Sequence, residues 1–141
     1  MNEYNFSRRV STQTSTTYTN GKPFTQVIVD SNITNNNNNF KACSLDFWFN
    51  TSLVGTYTAK SKNTLVNYDE LNYMNISCTV TDAAGKGAIY ESIDSNTTVS
   101  ITKADGKFIM NAPDGITLTK VFDDGLENAP TTMTFKCEKV R

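Results

Sequence analysis

Apolar residues in this chain recur at every second position far more than at every third or fourth, which is the signature of half-buried strands. The clearest case is 73–81, YMNISCTVT, where Met74, Ile76, Cys78 and Val80 alternate with Asn75, Ser77, Thr79 and Thr81. The first set is expected inward and the second outward. In 40–50, FKACSLDFWFN, Leu45, Phe47 and Phe49 share one face and Trp48 points the other way. Residues 53–60 alternate in the same manner, with Tyr57 and Ala59 on one side. Near the N-terminus, TQTSTTYT and KPFTQVIVD flank Asn20-Gly21, a dipeptide suited to a two-residue hairpin turn.

From residue 96 onward, short runs rich in Val, Ile, Thr and Phe are separated by three Asp-Gly pairs, at 105–106, 114–115 and 124–125. Glycine accepts positive φ without a Cβ clash, and Asp hydrogen-bonds its own backbone, so each pair predicts a turn. The segment therefore reads as a C-terminal antiparallel meander. Its expected core is Val99, Ile101, Phe108, Met110, Ile116, Leu118, Phe122, Met133, Phe135 and Cys137. Only 61–72, with NYDELN at its end, suits a helical turn. The whole predicts an all-β domain, an antiparallel β-sandwich or small barrel of about 8–10 short strands with at most one short helix. Residues 1–11 lack periodicity and read as an N-terminal arm, leaving 12–141 as one domain. The Asn run at 35–39 reads as a solvated loop.

Composition narrows the function more than it defines it. At 141 residues, thirteen Lys+Arg against fourteen Asp+Glu leave a net charge of −1 and no field that would attract nucleic acid or an anionic membrane. Neutral polar residues dominate, with 21 Thr, 17 Asn and 11 Ser, a balance common in surface, secreted and virion proteins. No signal peptide or transmembrane run is recognisable, so direct membrane insertion is not expected. The three cysteines, Cys43, Cys78 and Cys137, cannot all pair within one chain and fit no zinc spacing. They read as buried thiols, with a single disulfide as the alternative.

The absence of histidine removes Ser-His-Asp and Cys-His nucleophile arrangements and His-containing metal sites. Half of the carboxylates fall in predicted turns, where structural roles are the default, so the chain is expected to be no enzyme and to need no cofactor. Asp123, Asp124 and Glu127 could offer oxygens to Ca²⁺, although an EF-hand spacing is missing. Phe47-Trp48-Phe49 places aromatics on both faces of one strand. Trp48 is either covered by a loop or the arm, or forms with Tyr57 and Tyr90 a platform for a glycan or small apolar ligand. In the arm, Tyr4, Phe6, Arg8 and Arg9 are the candidates for gripping a neighbour.

Over 41–140, a strand ending FWFN, then GTYTAK, AIYES, NTTVSITKADGKF and a closing alternating strand resemble the small, uncharacterised β-rich lipoprotein-type domains of Bacteroidetes. The resemblance implies a compact β-sandwich or calycin-like barrel at a cell surface and names no activity. The lipidated N-terminal Cys of those domains is missing, and KFIMN stands where a Gly-Thr-Phe strand would be expected. The reading that follows is a non-enzymatic structural or interaction component of an extracellular or virion assembly, with protein partners or self-assembly. The alternative is a secreted or surface binding domain for a glycan or apolar ligand.

Overall fold

The structure, a computed structural model, describes residues 6–17, 23–33, 40–49, 54–67, 72–126 and 129–140. Nine strands are present among them: β1 (Phe6–Thr17), β2 (Pro23–Ile33), β3 (Phe40–Phe49), β4 (Gly55–Ala59), β5 (Tyr73–Asp82), β6 (Gly87–Ser92), β7 (Thr98–Ala104), β8 (Lys107–Asp123) and β9 (Thr132–Val140). One helix, α1 (Lys62–Asn67), lies between β4 and β5. The fold is all-β, as the period-2 pattern requires.

Hydrogen bonding closes part of the sheet on itself. β5 carries both β4 and β6, and β8 carries both β7 and β6, so β5, β4, β7, β8 and β6 form a ring. From β5 the sheet continues outward through β3 and β2 to β1, and from β8 to β9. β6 spans the gap between β5 and β8 at one end and β4 with β7 at the other, so the ring is a split within one sheet. That sheet curves until β3 lies over β8 and β9, as contacts of Phe49 with Phe108 and Phe47 with Phe135 show (ring centroids 5.4 and 6.0 Å).

Alternation fills this interior from β2 through β8. Val27, Val29, Leu45, Phe47, Phe49, Tyr57, Ala59, Met74, Ile76, Cys78, Val80, Tyr90, Val99, Ile101, Phe108, Met110, Ile116 and Leu118 form one buried cluster. Met133 and Phe135 pack against it from β9, half-buried, and Cys137 is buried. Two expectations for the core change. Phe122 is 54% exposed, because the β6–β8 register shifts between Ile89 and Tyr90. Tyr90 faces Lys120 while Ile89 faces Phe122, so Val121 is an extra residue and the bulge turns Phe122 to the outer face. Asn75, expected outward, is 1% exposed. Its amide donates to the Lys60 carbonyl and to Ser92 Oγ, and Ser92 Oγ accepts from Ile76 N–H, a polar knot that joins β5, β6 and the residue after β4.

The three Asp-Gly pairs play three different parts. Asp105 and Gly106, at φ 52° and 76°, make the two-residue turn between β7 and β8, where both positions need positive φ. Asp114-Gly115 makes no hairpin; it lies inside β8. There Ala112 faces Cys137 and Ile116 faces Phe135, so β8 carries two residues more than β9 over this span. Gly115, at φ 85°, absorbs the excess, and Pro113 sits where no ladder N–H is required. The third pair ends β8. The C-terminal region is thus a three-stranded meander, β7-β8-β9, with one bent central strand where two short ones were expected.

The arm reading also shifts. β1 starts at Phe6, so residues 6–11 continue the strand paired with β2 rather than standing apart from it. Phe6 lies opposite Ile33 and Arg8 opposite Ser31, with Arg9 as an extra residue where the register shifts before Val10. Tyr4, the Asn20-Gly21 turn and the Asn run at 35–39 lie outside the described residues.

Candidate functional site

The aromatic platform expected around Trp48 is not assembled. Tyr57 and Tyr90 are 1% and 0% exposed and point into the interior. Tyr57 meets Phe49 edge-on with ring centroids 5.4 Å apart, and the Tyr90 hydroxyl donates to the Pro130 carbonyl at 2.7 Å. Trp48 stands on the opposite face of β3, where α1 covers it. The cause is topological. β4 and β5 pair in parallel, Thr58 opposite Tyr73, and a parallel connection needs a crossover over one face of the sheet. That crossover carries α1 above β2 and β3, where Leu65 is fully buried with Phe24, and Trp48, Val66 and Tyr73 pack around them.

Both faces of the indole are taken. Phe24 stacks on it with centroids 4.8 Å apart and planes 18° from parallel. Lys62 Nζ lies 3.7 Å from the ring centroid, too close to share a side with the stacked Phe24 ring. Below them, Gln26 Nε2 donates to both carboxylate oxygens of Asp46, at 3.1 and 3.0 Å. Burial pushes the Asp46 carboxyl above its ordinary range, while hydrogen bonds from Trp48 and Gln26 and the charge of Lys62 pull the other way.

The helix is fastened at its start. Ser61 Oγ accepts from Thr64 N–H, an N-cap contact, and Asp94 from the β6–β7 loop accepts from Ser61 N–H and Thr64 Oγ1 at 2.9 Å each. The backbone donor from Ser61 is the main cause holding the Asp94 carboxyl below its usual value. This arrangement describes a docked cover, with its polar groups matched to one another.

Nor does the acidic turn present a cation cage. Asp123 Oδ1 accepts from Gly125 and Leu126 N–H, and Oδ2 takes Lys120 Nζ at 2.9 Å. Asp124 Oδ1 accepts from Gly87 N–H, tying the end of β8 to the start of β6. The carboxylates cap backbone that a turn leaves unpaired, which is the structural use of Asp at such places. Glu127 lies outside the described residues. Among those described, no group of three or more His, Cys, Asp or Glu is placed to share a metal ion.

What pattern reading missed is on the surface of β8. Val121 and Phe122 are 57% and 54% exposed, side by side, with Ile89 of β6 across from Phe122. One signal was legible: Lys120 occupies an inward-phase position between Leu118 and Phe122, which an unbroken strand would have had to bury. Lys120 keeps that phase, opposite Tyr90, and is half-buried with Nζ on Asp123 and the Ala129 carbonyl, while the bulge turns the residues that follow it. No family model matches this chain, and no curated protein or solved structure matches it.

Proposed function

We propose that the chain is a non-enzymatic β-domain that serves as a structural or interaction component of a larger extracellular or virion assembly, and that it meets a protein neighbour through the Val121-Phe122 face of β8. The observation that carries this reading is the outward turn of two large apolar residues by a bulge. Single exposed apolar side chains are ordinary; an adjacent pair on a strand, rimmed by Thr and Lys, suits a contact surface. The Thr-, Asn- and Ser-rich composition supports the extracellular or virion setting. The described carboxylates engaged as turn caps support a role without catalysis.

The test is the solution mass of the full chain over a range of concentrations, compared with a Val121→Thr, Phe122→Lys double variant. Self-association, or binding to a defined neighbour in the assembly, should be lost in the variant while its melting temperature is kept. A wild-type protein that stays monomeric and binds its neighbours no more tightly than the variant refutes the proposal. Deletion tests of the N-terminus should stop at residue 5, because removing 1–11 would take half of β1 with it.

A further inference from the structure

The interior holds two cysteines that no structural need places together. Cys43 on β3 and Cys78 on β5 are each 3% exposed and face the same core. In the register Cys43 lies opposite Val80 and Cys78 opposite Leu45, so the two sit diagonally across neighbouring strands. Their side chains nevertheless turn toward each other, with Sγ atoms 3.2 Å apart. A disulfide needs about 2.05 Å, so closure asks for a movement of about 1 Å within one strand pair. Cys137, by contrast, directs its Sγ at the Met110 carbonyl of β8, 3.7 Å away.

We propose that Cys43 and Cys78 form a dithiol–disulfide site that, in an oxidising setting, closes into a covalent tie between β3 and β5, with Cys137 remaining a thiol. The oxidant is a low-molecular-weight disulfide such as oxidised glutathione. The thiolate of one cysteine attacks a sulfur of that disulfide, whose S–S bond breaks to release one thiolate that takes up a proton. The second cysteine then attacks the protein-side sulfur of the mixed disulfide, and the second small thiol leaves. Two protein thiols are oxidised, and one small disulfide is reduced to two thiols.

The location gives the tie its consequence. In the backbone ladders β1 and β2 reach the ring of strands through β3, so a β3–β5 link ties that N-terminal part of the sheet to the ring covalently. The hydrogen bond with Cys78, together with burial, raises the Cys43 thiol far above its ordinary range, so little thiolate exists while the pair is enclosed. Oxidation therefore belongs to folding or to opening of the β3–β5 seam, and the folded dithiol form is inert.

The experiment refolds the reduced, unfolded full chain in a buffer of reduced and oxidised glutathione, quenches it with N-ethylmaleimide in denaturant, and reads intact mass and linked peptides. The expected product carries one maleimide, on Cys137, and a Cys43–Cys78 linked peptide. It should melt several degrees higher than the same protein treated with dithiothreitol, since the link closes a long loop. A Cys137→Ser variant should form the same link. Three maleimides per chain, a link that includes Cys137, or stable glutathione adducts on Cys43 or Cys78 would overturn the proposal. Folded, reduced protein exposed to maleimide before denaturation should take up none at Cys43 or Cys78 within the time that exposed thiols react. Rapid labelling there would count equally against it.

Discussion

Gln13 offers the sharpest test of how this sheet closes. Its carboxamide Nε2 donates to the Phe108 carbonyl at 3.0 Å, and its Oε1 accepts from Phe108 N–H at 2.8 Å. β9 ends its pairing with β8 at Met110 opposite Val140, so the backbone of Phe108 lies just past the last partner on that edge. One side chain from β1 then does there what a further strand would do, and links the first strand of the sheet to the central strand of the meander. Each such bond is worth about 0.5–1.5 kcal/mol net. Water can reach this partly buried site and replace some of the loss, so Gln13→Ala should cost about 1–3 kcal/mol, or a fall in Tm of roughly 3–10 °C. Urea unfolding measures the first quantity, and hydrogen exchange at the Phe108 amide shows whether the loss is local. Gln13→Glu sharpens the test. Its carboxylate can accept from Phe108 N–H but opposes the Phe108 carbonyl, whereas the neutral acid can donate to it. The folded pKa of that Glu should lie above its unfolded value of about 4.3. Its contribution is therefore complete below that value and is lost as pH rises through the folded pKa. The reasoning fails if Gln13→Ala leaves both the unfolding free energy and Phe108 exchange unchanged.

Other consequences can be checked with standard measurements. Gly115→Ala forces a side chain into φ 85° and brings its Cβ within 2.8 Å of Thr134 Cγ2, whereas Gly106→Ala at φ 76° meets open space. We expect a cost of about 2–3 kcal/mol at the first and about 1 kcal/mol at the second by thermal melts, and the reverse order would refute the bulge geometry. Burial pushes the Cys137 thiol up to about 11 from an ordinary 9.0, and the Cys43 thiol also rises. Stability from these groups in the reduced protein is thus complete below the unfolded value and falls as pH climbs through 11, which urea midpoints between pH 7 and 11 will report; Cys137→Ala should flatten the slope. Leu65→Ala, in a fully buried position, should cost about 2–4 kcal/mol and loosen α1. Because Trp48 is the sole tryptophan, a red shift of its emission in that variant would report uncovering of the indole, and an unchanged spectrum would show that α1 is not its cover.

How far the sequence reached depends on the range of the interactions involved. Alternation is local, so inward faces such as Met74, Ile76, Cys78 and Val80, or Val99 and Ile101, were legible from neighbours two residues away. The Asp105-Gly106 turn was legible for the same reason, since its chemistry lies within two residues. Asp114-Gly115 carries the same dipeptide and became a bulge, because β9 lies along β8 on both sides of it and the pairing wins over the turn. The candidate site was legible in its residue types and not in their arrangement. Trp48, Tyr57 and Tyr90 were found as aromatics, but which face each occupies relative to the others depends on pairings between distant strands.

By itself, then, the sequence determined the all-β class, the alternating core and the absence of histidine chemistry. These depend on residue type and on a backbone period of two. The tertiary structure alone decided that the sheet closes into a ring, that α1 covers Trp48, that Val121 and Phe122 face outward, and that Cys43 and Cys78 meet. Each of these follows from register and crossover between segments tens of residues apart, where a shift of one residue exchanges inside for outside.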